Sequence, residues 1–245
     1  MKYLILKSVF FLSVFALHAQ RPAAILTDIE GTTTSISFVY DTLFPYAKEH
    51  VRDYLLAHHH EPNVAQLIQE VAQIAEIPHE DLSAVTQTLL TWMQQDKKIT
   101  PLKTLQGMLW KEGFEEGCLQ GHVYRDAFEE LEQWHQQGIA LYVFSSGSVS
   151  AQKLLFGYTP YGDLTPYFSG YFDTKVGGKK ESSSYCNIAE YLALAPEQIL
   201  FLSDVVEELD AAATAGMQTC LIVREGTARS SAHPSAVDFH KVFRE

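Results

Sequence analysis

Four short apolar runs frame what this chain can fold into: residues 23–27, 139–144, 199–202 and 218–223. Each is rich in Ile, Leu, Val or Phe and lacks the regular polar alternation of a strand with one wet face. Such runs read as strands buried on both sides, the habit of a parallel sheet. Stretches of helical periodicity separate the later runs, over residues 126–137, 149–156, 182–194 and 207–215. Gly138 and Gly216 stand where a helix stop is expected. A short segment at Tyr171-Phe172 precedes Lys179. The alternation predicts an α/β fold, a Rossmann-like doubly wound parallel sheet with helices on both faces.

Residues 35–120 break the alternation. Residues 38–56 read as one helix interrupted by Pro45. Val64, Leu67, Ile68, Val71 and Ile74 recur at helical spacing, as do Leu82, Val85, Leu89, Trp92 and Met93, and a fourth helix spans residues 101–113. A helical block placed directly after the first strand predicts an inserted all-helical cap over the sheet. The expected plan is therefore a leader over 1–20, a core from 21–34 and 121–229, a cap over 35–120, and a poorly ordered polar tail over 230–245.

Charge narrows the partners. With 18 Lys and Arg against 30 Asp and Glu, the net charge is −12. Phosphate backbones are bound by basic surfaces, so nucleic acid is disfavoured as a partner. A small phosphorylated substrate remains compatible if a metal ion and a local Lys supply positive charge. Cys118, Cys186 and Cys220 are odd in number and lack CxxC spacing, which predicts buried thiols rather than disulfides or a zinc site.

Residues 1–20 carry Lys2 and Lys7, then a short apolar centre, then His18-Ala19-Gln20. This is the pattern of a signal peptide, but Leu17 fits poorly at the position before cleavage that favours a small residue. The run is too short for a membrane span. The rival reading is a start placed ahead of a domain beginning near Arg21.

Asp28 closes the first strand in Thr27-Asp28-Ile29-Glu30-Gly31-Thr32-Thr33. At the carboxyl end of a parallel strand an Asp can attack phosphorus or hold a metal, and a second acid two residues on can move protons. Alone, the segment is equally an acidic turn. The strand over 139–144 ends in Ser145-Ser146-Gly147-Ser148, whose hydroxyls and free N–H groups can cradle a phosphate or simply make a turn. Val176-Gly177-Gly178-Lys179-Lys180 offers a Lys that can neutralise phosphate charge, though a loop Lys is usually solvated. Asp204 closes the strand over 199–202. Two carboxylates at neighbouring strand ends suit a hard cation such as Mg2+, with substrate phosphate completing its shell.

In order and spacing these four stations resemble the four motifs of the haloacid-dehalogenase superfamily. Asp28-Ile29-Glu30-Gly31-Thr32-Thr33, Ser145-Ser146-Gly147-Ser148-Val149 and Phe201-Leu202-Ser203-Asp204-Val205-Val206 are similar to one family within it, the enolase-phosphatases of methionine salvage (acireductone synthases). Pro101-Leu102-Lys103-Thr104-Leu105-Gln106-Gly107, Gly121-His122-Val123-Tyr124, Ala151-Gln152-Lys153-Leu154-Leu155-Phe156-Gly157 and Phe168-Ser169-Gly170-Tyr171-Phe172-Asp173-Thr174 resemble it too. The likeness runs from about residue 23 to 224 and omits the leader.

The resemblance implies roles. Asp28 would be the nucleophile, Glu30 the general acid and base, Ser145 and Ser146 the phosphate holders, and Lys179 the stabiliser of the transferring group. Asp28, Glu30 and Asp204 would hold Mg2+, with Glu208 an outer acid one helical turn on. It further implies enolisation of a phosphorylated methylthio-diketone followed by hydrolysis, with the cap excluding water and housing the methylthio end. Glu30, a cap residue and a phosphate oxygen all stand as candidates for the enolisation base. A Glu at this position reaches about 1.5 Å further than the Asp usual in the superfamily.

The alternatives are a phosphatase of the same fold without an enolase step and a silent binder of a phosphorylated ligand. Dehalogenase activity is disfavoured by Glu30. The expected state is a cytoplasmic monomer, with the signal-like start leaving export open. His58-His59-His60, Trp92, Trp110, Trp134, Glu115-Glu116 and Glu129-Glu130 read as surface or packing residues.

Overall fold

The computed structural model describes residues 21–225, 227, 230 and 232–243. The leader read over 1–20 lies outside them. The first apolar run becomes β1 (Ala24–Thr27), fully buried and central in the sheet. It pairs in parallel with β2 (Ala140–Phe144) on one side and β4 (Ile199–Ser203) on the other. β3 (Phe168–Phe172), β5 (Gln218–Ile222) and β6 (Ser235–Ala236) complete a six-stranded parallel sheet ordered β3-β2-β1-β4-β5-β6.

Strand periodicity sorts the apolar side chains onto two faces. Ile25 packs with Val143, Leu202 and Trp134 on one face. Ala24 and Leu26 pack with Phe144, Phe201 and Tyr185 on the other. The helices α6 (Arg125–Gln136), α7 (Val149–Gly157), α8 (Ser182–Leu192) and α9 (Val206–Thr214) supply the crossovers. The core is thus the expected doubly wound sheet.

The helical block between β1 and α6 has its own buried cluster, including Val51, Leu67, Val71, Leu89, Trp92 and Leu105. It comprises α1 (Ile36–Phe38), a π-helical turn over Val39–Leu43, α2 (Phe44–His58), α3 (Pro62–Ala75), α4 (Leu82–Gln94) and α5 (Thr100–Glu115). Pro45 does not interrupt a helix. The backbone is helical without a break from Ile36 to His58, and Pro45 stands directly after the π-helical turn, at the second residue of α2. The two connections to the core meet at His122, whose Nδ1 accepts the Ser35 N–H at 3.1 Å and faces the Thr34 hydroxyl at 3.3 Å.

Three sequence expectations are corrected. The stretch over 230–245 holds β6 and a 3-10 turn over Phe239–Lys241, with Phe239 buried against Trp134. Ala236 and Phe239 anchor it, although the segment is polar on average. Among the cysteines only Cys220 is buried; Cys118 and Cys186 are exposed. Glu130 is buried and faces His240 at 3.0 Å, because the returning C-terminal segment covers what is otherwise the wet face of α6.

Candidate active site

The register of the sheet brings the four stations together. Asp28 leaves β1 with its N–H donating to Leu202 O on β4 at 2.9 Å, and its side chain is 3 % exposed. Lys179 Nζ lies 2.5 Å from Asp28 Oδ1 and 2.7 Å from Glu208 Oε2. Burial by itself lowers an ammonium pKa, but these two carboxylates outweigh it and hold Lys179 above its ordinary value. Glu208, read from sequence as an outer acid, is therefore the second partner of Lys179. The Ser203 hydroxyl donates to it at 2.9 Å.

The loop carrying Lys179 is held by its neighbours. Tyr185 Oη donates to Lys179 O at 2.6 Å and Ser184 Oγ to Gly178 O at 2.7 Å. Gly177 has φ +134°, and a Cβ there would stand 2.2 Å from Ser184 Oγ. Only glycine tolerates both the backbone angle and the approach.

Glu30 is half-buried beside Asp28. Desolvation, then the Asp28 charge, push its carboxyl pKa up. Ser145 Oγ donates to Glu30 Oε2 at 3.3 Å and accepts the Gly147 N–H at 3.1 Å. The Ser145 side chain is fully buried, whereas Ser146 is exposed. Gln152, on α7, donates to both Gly147 O and Phe172 O, at 2.8 and 2.9 Å, which ties the serine turn to the end of β3.

Asp204 sits at the end of β4. Burial, followed by the charge of Asp28, pushes its carboxyl up to about 6. Gly31 turns with φ +83° directly against it. Thr32 Oγ1 donates to Asp204 Oδ1 at 3.4 Å and accepts the Asp204 N–H at 3.1 Å. Among the described residues no group of three or more His, Cys, Asp and Glu side chains is arranged to hold a metal by itself. The donors at the strand ends are nonetheless all oxygen, and the Asp28 charge raises the cost of ionising Asp204. That set fits a hard cation that keeps water and substrate oxygens in its shell.

Above these strand ends lies a cavity of about 800 Å3 between sheet and helical block. Glu30, Ser145, Ser146, Gly147 and Asp204 line it from the sheet side, and Leu43, Phe44, Met93, Leu102 and Trp110 from the helical side. Lys48, Lys97, Lys98 and Lys103 also border it. Asp28 and Lys179, joined as an ion pair, do not line it. Trp110 packs against the buried clusters of both the sheet and the helical block, as its sequence reading expects, and also reaches the cavity. Its ring lines the cavity while Nε1 donates to Leu43 O at 2.8 Å, anchoring the π-helical turn. The five-residue repeat of that turn leaves no mark in the apolar pattern, so neither it nor the wall it shapes was visible beforehand.

A family model of haloacid dehalogenase-like hydrolases matches residues 22–216. The enolase-phosphatase E1 of Methylococcus capsulatus is 52 % identical over 219 residues, covering 89 % of this chain and 96 % of that protein. The enolase-phosphatase E1 of Pseudomonas fluorescens is 53 % identical, covering 82 % of this chain and 89 % of its own. Among solved structures, the UTR4 protein of Saccharomyces cerevisiae superimposes with a TM-score of 0.77 at 35 % identity, covering 91 % of this chain and 100 % of that one. With matches of this extent over a site of this composition, the chain belongs to the haloacid dehalogenase-like hydrolases and, within them, to the enolase-phosphatases.

Proposed function

We infer that this chain catalyses the enolase-phosphatase reaction of methionine salvage. It converts 2,3-diketo-5-methylthiopentyl-1-phosphate to the acireductone 1,2-dihydroxy-3-keto-5-methylthiopentene and phosphate. The observation that carries the site assignment is the convergence of Asp28, Glu30, Ser145, Lys179 and Asp204 at one end of the sheet beneath a roofed cavity.

Enolase-phosphatases and their superfamily are generally Mg2+-dependent. In this chain the proposed holders are the carboxylates of Asp28 and Asp204, with Glu30 supplying a further oxygen. Bound there, Mg2+ would supply Lewis-acid stabilisation for enolate and phosphoryl charge.

The remaining chemistry belongs to the protein. Lys179 covers Oδ1 of Asp28, which leaves Oδ2 as the attacking oxygen. An incoming phosphate draws the Lys179 ammonium from Asp28 toward its own oxygens, freeing the nucleophile and neutralising the transferring group. Attack on phosphorus forms an aspartyl-phosphate and releases the enediol oxygen. Glu30, whose carboxyl pKa is raised by burial and then by the Asp28 charge, is the acid that gives that oxygen its proton. As a carboxylate it then takes a proton from the water that hydrolyses the phosphoenzyme. Ser146 and the turn it belongs to hold the phosphate, while Ser145 orients Glu30. The apolar wall of Leu43, Phe44, Met93, Leu102 and Trp110 suits the methylthio end and keeps water from the enol.

The test follows enediol absorbance and inorganic phosphate together, with protein starting at residue 21, Mg2+ and the methylthio-diketone phosphate. Enol appearing before phosphate is expected. Phosphate released only from simple esters, with no enol, would refute the enolase step and leave a phosphatase.

A further inference from the structure

Arg224 follows β5 and turns its guanidinium inward, leaving the side chain 10 % exposed. Nη1 and Nη2 donate to the two carboxylate oxygens of Asp126 at 3.0 and 2.8 Å. Nε and Nη2 also donate to the single carbonyl oxygen of Thr32, at 3.2 and 3.0 Å. The ring of Tyr124 packs 4.0 Å from the guanidinium carbon. Asp126 is held in turn by the Phe239 N–H at 2.8 Å, so the C-terminal segment closes the arrangement.

Asp126 alone would neutralise the charge. The guanidinium nevertheless directs donors to one backbone carbonyl, in the loop between Asp28 and the helical block. Thr32 is fully buried, and its hydroxyl makes two hydrogen bonds to Asp204, one donated and one accepted. A hydroxyl has one proton to give, so this pattern orients the Asp204 carboxylate in one sense. The planar fork of Arg fits the task, which a Lys point charge does not.

We propose that Arg224 is a positioning residue for Asp204, acting through Thr32, so that Asp126, Arg224 and Thr32 fix one carboxylate of the cation site from outside it. The inference rests on the reading of Asp204 as a cation ligand. Residues that orient a ligand in this way commonly change metal affinity by about 10–100-fold when replaced.

The test measures Mg2+ binding to the unliganded protein by calorimetry and by the Mg2+-induced shift in melting temperature, independently of turnover. Arg224→Met alone strands a buried carboxylate, so it is combined with Asp126→Asn, which removes both charges together, and the thermal melt verifies that the double variant is folded. Thr32→Val and Thr32→Ser accompany it. The double variant and Thr32→Val are expected to bind Mg2+ about 10-fold more weakly or worse, with Thr32→Ser near wild type. Wild-type Mg2+ affinity in the folded double variant would reduce Arg224 to a structural role and overturn the proposal. Wild-type affinity in Thr32→Val would overturn the route through Thr32. If Asp204→Asn leaves Mg2+ binding unchanged, the cation-site reading itself fails and takes the inference with it.

Discussion

Gly31 is the position where backbone and chemistry meet most tightly. Its φ of +83° lies in the left-handed region, and a Cβ built on it would stand 2.2 Å from Asp204 Oδ2, 2.5 Å from Cγ and 2.9 Å from Oδ1. Gly31→Ala therefore acts twice. The backbone angle costs a β-carbon about 1–2 kcal/mol. In a chain of this size that lowers the melting temperature by about 2–8 °C. The second effect is larger for function. To move from 2.2 Å to the 3.4 Å of ordinary contact, the Asp204 carboxylate must retreat by about 1.2 Å. It cannot do so freely, because Thr32 holds both its N–H and Oδ1. A displacement near 1 Å at a catalytic group costs about 10²-fold in rate. Gly31→Ala is thus expected to lower kcat by about two orders of magnitude and raise the Mg2+ concentration needed for half-activity. The assay is phosphate release across a Mg2+ titration, alongside a thermal melt. A variant that melts a few degrees lower but turns over at near wild-type rate would refute the reasoning, since strain would then be present without displacement of Asp204.

Other outcomes follow from the same geometry. Asp28→Asn should abolish phosphate release while substrate still protects the protein against thermal unfolding; phosphate release at near wild-type rate would disprove the nucleophile. Lys179→Met leaves Asp28 and Glu208 buried without their shared cation, and denaturant unfolding should show a loss of about 3–5 kcal/mol. For Asp126, burial alone would raise the carboxyl pKa, but Arg224 and the Phe239 N–H outweigh it and hold it below the ordinary value. A depressed folded pKa contributes stability above the unfolded value of about 3.9 and loses it as pH falls through the lower folded value. Unfolding free energy measured below about pH 4 should therefore drop more steeply for wild type than for Asp126→Asn.

The proximity of the candidate site residues was legible in the sequence because it obeys a one-dimensional rule. Asp28, Ser145 and Asp204 each lie within one polar residue of the end of an apolar run, and parallel strands align their carboxyl ends. Strand β3 was harder, since Ser169-Gly170 dilutes its apolar signal and it lies at a less buried position beside β2. The short β6 was missed because a two-residue strand has no period to detect. Glu130 was misread because the segment that covers it returns from the far end of the chain.

By itself the sequence determined the strands β1, β2, β4 and β5, the helical block that interrupts them and the family the chain belongs to. Short continuous apolar runs, period-3.6 helical spacing and the spacing of a few chemical residues are local properties, written directly into the order of amino acids. Tertiary structure alone decided which groups pair. Lys179 meets Asp28 across 151 positions, Arg224 meets Thr32 across 192, and Trp110 turns one face to the cavity while holding Leu43. Such contacts depend on how twisted strands and packed helices bring remote segments within hydrogen-bond distance, and no local period encodes that.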